Sequence, residues 1–172
     1  MSKVITFSRT FPSYHPKAGQ PTYFVEAIWK ALDKLELADN RLDQFINDYY
    51  DKVEVINSYY ETKSKHHTIR AGNRWKAGEY FSPRVWSGKP YHSPQIIIAI
   101  DIKIENVWSI EIIRDAKDTA PRFCIDGKSL TIDEEIKLAI NDGLGLEDLR
   151  HWFNKVGTTQ GQIICWNKNI QY

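Results

Sequence analysis

The chain has few cysteines, no long apolar run and no dominant charge. Only two of its 172 residues are Cys, and Cys124 and Cys165 stand among apolar neighbours (RFCI and IICW), as small buried hydrophobes do. Neither a disulfide framework nor a zinc site is expected. No run approaches the length of a membrane span, and the N-terminus lacks the apolar core of a signal peptide. We expect a cytoplasmic protein, or one made by a virus inside a cell, with no membrane partner.

Common catalytic signatures are also missing. The sequence contains no GxGxxG, no GxxxxGK[ST], no HExxH and no Gly-x-Ser-x-Gly, which argues against dinucleotide-binding, P-loop, zinc-protease and nucleophile-elbow sites. His66 and His67 are adjacent, and neighbouring side chains of a strand point to opposite faces. A metal site built on this pair is improbable, so we predict no metal and no cofactor.

The charge that is present is unevenly distributed. Seven Lys or Arg and two Glu between Glu61 and His92 give that segment a net charge of +5, whereas the whole chain carries +1. A local positive patch suits a partner that bears phosphates. The alternative is a solvated basic surface loop.

Two stretches in the first third carry apolar residues at the three-and-four spacing of an amphipathic helix. They predict helices over Thr22–Leu37 and Leu42–Val53, the second with an N-cap at Asp39 or Asn40. Before them, VITF reads as a short first strand, followed by a loop rich in Pro and Gly.

After His67 the pattern becomes typical of strands. EYFSPRVW, QIIIAIDIKI, VWSIEII and RFCI are rich in Ile, Val and aromatic residues and are separated by turn residues. Two short helices follow, IDEEIKLAIND and LEDLRHWFNK, with Asp133 as a first-turn acid or cap and Asp142-Gly143 as a stop. GQIICWN is a last strand. Consecutive strands with helices grouped at either end predict an α+β fold, with a small β-barrel or curved sheet.

The segment Lys65 to Arg70, KHHTIR, has the spacing of a candidate catalytic pair. In an extended chain Lys65 and Thr68 face opposite sides, so a bend is needed to bring them together. If they meet, burial and nearby cations would depress the pKa of Lys65. A neutral amine beside a hydroxyl can activate a Thr as a nucleophile.

Aromatic residues offer stacking surfaces for nucleobases. Trp75 and Trp86 stand beside basic residues in stretches of turn character, so we assign them a ligand-facing role. The other tryptophans fall at apolar positions of predicted helices or strands and are assigned to packing: Trp29, Trp108, Trp152 and Trp166.

Three signals in order, KxxTxR from Lys65, KxGE from Lys76 and DGL from Asp142, resemble the ASCH domain, a family of the PUA-like superfamily. The resemblance spans about Val4 to Trp166. It implies a single domain over residues 1–172, with a PUA-like barrel or strongly curved mixed sheet, flanking helices and a helical insertion at about 22–55. It also implies a cleft that binds RNA, another single-stranded nucleic acid, a nucleotide or a modified nucleoside.

One group within that family is similar to small bacterial amidohydrolases that deacetylate N4-acetylcytidine with a Lys, a Thr and a Glu. Lys65 and Thr68 match the first two, and Asp142 stands where the enzymes have Glu. The resemblance therefore implies Lys65 as general base, Thr68 as nucleophile and Asp142 as the group that orients Lys65 or assists proton transfer. The predicted ligand-binding residues around them are His67, Arg70, Arg74, Trp75, Lys76, Arg84 and Trp86.

Three hypotheses for function follow. The first is a nucleic-acid- or nucleotide-binding domain whose Lys and Arg side chains contact phosphates. The second is an amidohydrolase acting on an N4-acylated cytidine. The third is an interaction protein that binds another protein through an exposed apolar face of the Leu42–Val53 helix.

Overall fold

The computed structural model describes residues 2–53 and 62–172. It confirms the α+β class, with helices before and after a run of strands. The elements in chain order are β1 (Lys3–Thr6), α1 (Phe24–Lys34), α2 (Leu42–Tyr50), β2 (His67–Ala71), β3 (Tyr80–Trp86), β4 (Gln95–Ile97), β5 (Ile102–Lys103), β6 (Asn106–Arg114), β7 (Arg122–Ile125), β8 (Lys128–Ser129), α3 (Ile132–Asn141), α4 (Leu146–Trp152) and β9 (Gly157–Cys165).

The described strands form two sheets. In the first, β1 lies parallel to β3, with Lys3 opposite Phe81, and β4 and β5 pair antiparallel with β3. The second sheet is antiparallel in the order β2-β9-β6-β7-β8. The barrel form of the prediction is not seen among these strands, which do not close on themselves. The first sheet contains both parallel and antiparallel pairs.

Helix α1 contributes a large part of the core, because its apolar side chains lie on one face and that face is buried. Ala27, Ile28 and Trp29 are fully buried. The Trp29 indole Nε1 donates to the Ile98 carbonyl oxygen at 2.6 Å, which satisfies the one polar atom of a buried indole. The helix is shorter than the predicted Thr22–Leu37 and runs from Phe24 to Lys34.

Helix α2 packs its apolar face against the core. The Tyr49 ring is buried and meets the Trp29 ring edge-on, with centroids 5.5 Å apart, and Leu42 and Ile46 also pack there. The apolar face expected to bind another protein is therefore used internally over Leu42–Tyr50. The N-cap is Arg41, so the predicted caps Asp39 and Asn40 are both wrong, although the Asp39 carboxylate accepts from the Arg41 amide. The last two positions of the expected insertion at 22–55 lie outside the described residues.

The predicted strand QIIIAIDIKI is two short strands, β4 and β5, with an irregular segment between them. The reason lies in its hydrogen bonds. The Ile98 carbonyl accepts from the Trp29 side chain, and the Ile98 amide donates to the Pro83 carbonyl. Because the Ile98 carbonyl is bonded to the Trp29 indole, it is not part of the hydrogen-bond ladder between strands, and β4 ends at Ile97.

Helix α3 begins at a capping box, in which the side chains of Thr131 and Glu134 each bind the other's backbone amide. Asp133 is a first-turn acid, one of the two roles predicted for it. The helix ends at Asp142 and Gly143, as predicted, with Gly143 at φ +79°. Within the two described ranges, no helix has both the length and the apolarity needed to cross a membrane.

Candidate functional site

Lys65 lies just before β2, where the backbone is held by two helices. Its amide donates to the Ala27 carbonyl of α1 at 2.9 Å, and the His66 amide donates to the Asn141 carbonyl of α3 at 2.7 Å. Because β2 begins only at His67, the alternation of a strand does not govern Lys65. The alternation that would place Lys65 and Thr68 on opposite faces of a strand therefore does not apply.

Gly143 permits the close approach of this segment to α3. A Cβ at position 143 would lie 3.2 Å from the Lys65 Cβ, and the residue adopts φ +79°. Both the space and the left-handed backbone favour glycine.

The Lys65 ammonium is buried against the C-terminus of α3. Its Nζ donates to Asp142 Oδ1 at 2.7 Å and to the Asp142 carbonyl oxygen at 2.6 Å, and only 1% of Lys65 and 5% of Asp142 are exposed. A cation at this helix end interacts favourably with the unpaired carbonyls and the helix dipole. The alternative of a solvated basic loop is therefore wrong for Lys65, and the shorter carboxylate of Asp142 does reach the amine.

Burial and pairing act in opposite directions on these two groups. Burial lowers the pKa of Lys65, the Asp142 carboxylate offsets part of that effect, and the pKa falls to about 8. Burial by itself would raise the pKa of Asp142, but the Lys65 ammonium and His67 outweigh it, so that pKa is lowered. At neutral pH the pair is ionised, and Lys65 loses its proton at a much lower pH than an ordinary lysine.

His67 is a second neighbour of the Asp142 carboxylate, and its Nδ1 has no hydrogen-bond partner among the described residues. The His67 Nδ1 lies 3.4 Å from Asp142 Oδ1, beyond the usual range of a strong hydrogen bond. On the other side of the ring, Nε2 lies 2.7 Å from the Tyr172 hydroxyl, which accepts from the Asn141 side-chain amide at 3.0 Å. A hydroxyl occupied as an acceptor donates to Nε2, which leaves the proton on Nδ1, facing Asp142. Burial lowers the pKa of His67, which keeps the ring neutral.

A cavity of about 190 Å³ opens beside this pair, and we call it the Lys65 cavity. Five of the predicted site residues line it: Lys65, Thr68, Arg70, Trp86 and Asp142. Aromatic rings complete its walls, contributed by Phe7, Phe24, Trp86, Trp152 and Phe153. The cavity thus combines a few convergent polar groups with an aromatic lining, as small-molecule sites do.

Arg70 lines the cavity and reaches from β2 to β1 of the first sheet. Its guanidinium donates to the Thr6 carbonyl at 2.7 Å and lies 5.3 Å from the centroid of the Phe7 ring. The Arg70 Nε is buried and has no hydrogen-bond partner among the described residues. A donor in this position can serve a ligand, since buried polar groups are normally hydrogen-bonded.

Other predicted ligand-binding residues lie outside the cavity lining. Trp75 is 2% exposed and packs against Phe81, so it belongs to the core. Arg74 and Lys76 are exposed beyond it, and the half-buried Arg84 binds the side chains of Ser82 and Gln95. His67 lies behind Asp142 rather than on the cavity wall.

Several residues of the site could not be identified from the sequence. Phe24 and Trp152 follow helical periodicity and read as core, although both line the cavity. Tyr172 follows no pattern at all. Its contact with His67 depends on tertiary packing of residues 105 positions apart.

The described residues contain no group of three or more His, Cys, Asp or Glu side chains arranged to hold a metal ion. Comparison of the chain with known protein families, with curated proteins and with solved structures gave no match.

Proposed function

We propose that the chain is an ASCH-like domain of the PUA-like superfamily, and that its Lys65 cavity binds one base of RNA or a modified nucleoside. The observation that carries this proposal is the convergence of Lys65, Thr68, Arg70, Trp86 and Asp142 on one aromatic-lined cavity of about 190 Å³. Sites for drug-sized ligands measure about 300–1,000 Å³. The Lys65 cavity therefore suits a single base with its sugar rather than a larger group.

The lining matches the chemistry of a nucleobase. Trp86 is half-exposed at the end of β3 and presents an aromatic face on which a base can stack. The hydroxyl of Thr68 and the unpartnered Nε of Arg70 offer hydrogen bonds to polar base edges. Recognition of unstacked bases in proteins combines these same contacts.

Binding to nucleosides tests the proposal directly. Calorimetry would compare the common ribonucleosides and N4-acetylcytidine with wild-type protein, Trp86→Ala and a control, Tyr80→Ala. Tyr80 lies at the opposite end of β3 and is 51% exposed. Loss of one stacking partner weakens binding by roughly 10- to 100-fold. We expect that loss in Trp86→Ala alone; no binding of any nucleoside or short single-stranded RNA at low salt would refute the proposal.

A second candidate function is hydrolysis of an N4-acylated cytidine, and one observation favours it. Lys65, with a pKa of about 8, is fixed by Asp142 on the same cavity that Thr68 lines. Lysine is a general base only when neutral. In this mechanism the Thr68 hydroxyl attacks the acyl carbon while its proton passes to the Lys65 amine. Lys65 then protonates the leaving N4 amine, and water releases the acyl group from Thr68.

Turnover separates the two candidates. Release of acetate from N4-acetylcytidine would be followed in wild type, Thr68→Val and Lys65→Met. Hydrolysis should be lost in both variants, and in wild type it should rise with pH through about 8 as Lys65 deprotonates. Binding of the acetylated nucleoside without hydrolysis would leave a binding domain and eliminate the enzyme.

A further inference from the structure

A second cavity of about 180 Å³ lies beside the first, and we call it the Glu26 cavity. Its polar lining includes Arg9, Thr22, Glu26 and Tyr49, and Phe24 lines both cavities. Two consecutive residues line different cavities: Ser8 lines the Lys65 cavity and Arg9 lines the Glu26 cavity. The two cavities are therefore neighbours, with one aromatic side chain common to their walls.

Glu26 gives the second cavity its chemical character. Only 3% of the residue is exposed, and the hydrogen bond of its carboxyl is with its own backbone amide. Burial raises the pKa of its carboxyl, and the hydrogen bond to its own backbone amide offsets part of that shift. A carboxyl that takes up a proton on binding a ligand presents one donor and one acceptor side by side.

Arg9 stands where the two cavities meet. Its Nε donates to the Trp86 carbonyl at 3.0 Å and a terminal nitrogen donates to the Ser87 carbonyl at 3.0 Å. These bonds fix a guanidinium next to Trp86, whose ring lines the Lys65 cavity. A half-buried cation between two base-sized cavities is well placed for the phosphate that links successive nucleotides.

We infer that the ligand is at least a dinucleotide of single-stranded RNA, with one base in the Lys65 cavity and the neighbouring base in the Glu26 cavity. The Glu26 carboxyl hydrogen-bonds the second base at an edge where a donor and an acceptor lie next to each other. Arg9 holds the phosphate between them. This inference rests on the proposed function, because it extends the ligand of that site by one nucleotide.

The experiment compares ribonucleosides with the RNA dinucleotides built from them, by calorimetry on the full chain. We expect the preferred dinucleotide to bind at least about tenfold more tightly than its nucleoside, since each stacked base adds that much. Glu26→Met should reduce dinucleotide affinity to the nucleoside level and leave nucleoside affinity unchanged. Asp33→Met, on the exposed side of α1, is the matched control and should change neither.

Three outcomes would overturn the inference in distinguishable ways. If nucleosides bind but dinucleotides bind no more tightly, the Lys65 cavity acts alone and only this inference fails. If dinucleotides bind more tightly and Glu26→Met does not alter their affinity, the second base lies elsewhere. If neither ligand binds, the proposed function fails as well. Thermal melting checks that Glu26→Met is folded, which is expected because the substitution replaces a buried acid with an apolar side chain of similar length.

Discussion

The basic segment from Lys63 to Tyr80 has two halves, residues 63–71 and 72–80, whose cations differ in burial. In the first half, Lys65 is 1% exposed and bound to Asp142 from α3. In the second half, Arg74 and Lys76 are exposed at the surface. Both halves are net positive, +3 over residues 63–71 and +1 over residues 72–80, and this charge does not show which cation is buried. What differs is the tertiary partner, because only the first half meets a buried carboxylate and a helix C-terminus.

The second half has a partner of another kind. Lys3 of β1 forms an ion pair with Glu79 at 2.8 Å, with 44% and 33% of the two side chains exposed. Pairs exposed to water are screened and contribute little to stability. The two lysines therefore differ in what surrounds them: Lys65 is enclosed by protein and paired with a buried carboxylate, whereas Lys3 and Glu79 remain open to water. Variants of the two pairs should differ in effect accordingly.

Asp142→Ala should cause the largest loss of stability. It leaves the Lys65 ammonium buried without its carboxylate, and removal of one partner of a buried pair costs about 3–5 kcal/mol. Urea unfolding would measure the free energy of unfolding. The double variant Lys65→Met with Asp142→Leu removes both charges and should recover most of it; an equally unstable double variant would mean that packing, not the unpaired charge, is responsible.

The second-largest expected effect is the contribution of Lys65 to the pH dependence of the free energy of unfolding. Its pKa is lowered from 10.5 to about 8 in the folded protein, so the unfolded chain binds more protons between these values. The free energy of unfolding therefore rises with pH in that window, by at most about 1.4 kcal/mol per pH unit. The test subtracts the pH profile of Lys65→Met from that of wild type between pH 8 and 10. Parallel profiles would contradict a depressed pKa for Lys65.

Tyr172→Phe should have a moderate effect. It removes the hydroxyl that joins Asn141 to His67, and leaving a buried polar group without its partner costs about 1–3 kcal/mol. Nitrogen chemical shifts of the His67 ring should show a mixture of tautomers in the variant. An unchanged single tautomer would mean that Asp142 alone fixes the ring.

Glu79→Ala should have the smallest effect. The Lys3 partner is exposed, so the urea midpoint should match that of wild type within error, and nucleoside affinity should not change. A loss comparable to that of Asp142→Ala would remove the distinction between the two halves of the basic segment.

Much of the fold could be predicted because local patterns and tertiary packing agree. The spacing of apolar residues predicted α1 and α2, and the Asp142-Gly143 stop of α3 followed from the need for a left-handed residue. The break between β4 and β5 could not be predicted, because it depends on the distant Trp29 indole.

The site was predictable in part. The family resemblance, not local spacing, implied a cleft lined by the KxxTxR segment and selected Asp142 as its partner. Lys65, Thr68, Arg70 and Asp142 do line one cavity. Trp75 shows why neighbours in sequence mislead. Arg74 and Lys3 lie 5.2 and 5.3 Å from the centroid of its ring, yet the ring itself is 2% exposed. Basic neighbours can cover a core tryptophan instead of accompanying a ligand-facing one.

The pairing of β2 has a consequence for the order of folding. Within the second sheet, the strand that carries Thr68 hydrogen-bonds only to β9, with Thr68 opposite Ile164. During synthesis on the ribosome, β2 cannot pair until almost a hundred further residues have been added, which takes about 5–20 s at typical elongation rates. Closing so long a loop is also slow in refolding. Thr68 is therefore positioned among the last parts of the molecule, and a chain still under synthesis lacks the complete Lys65 cavity.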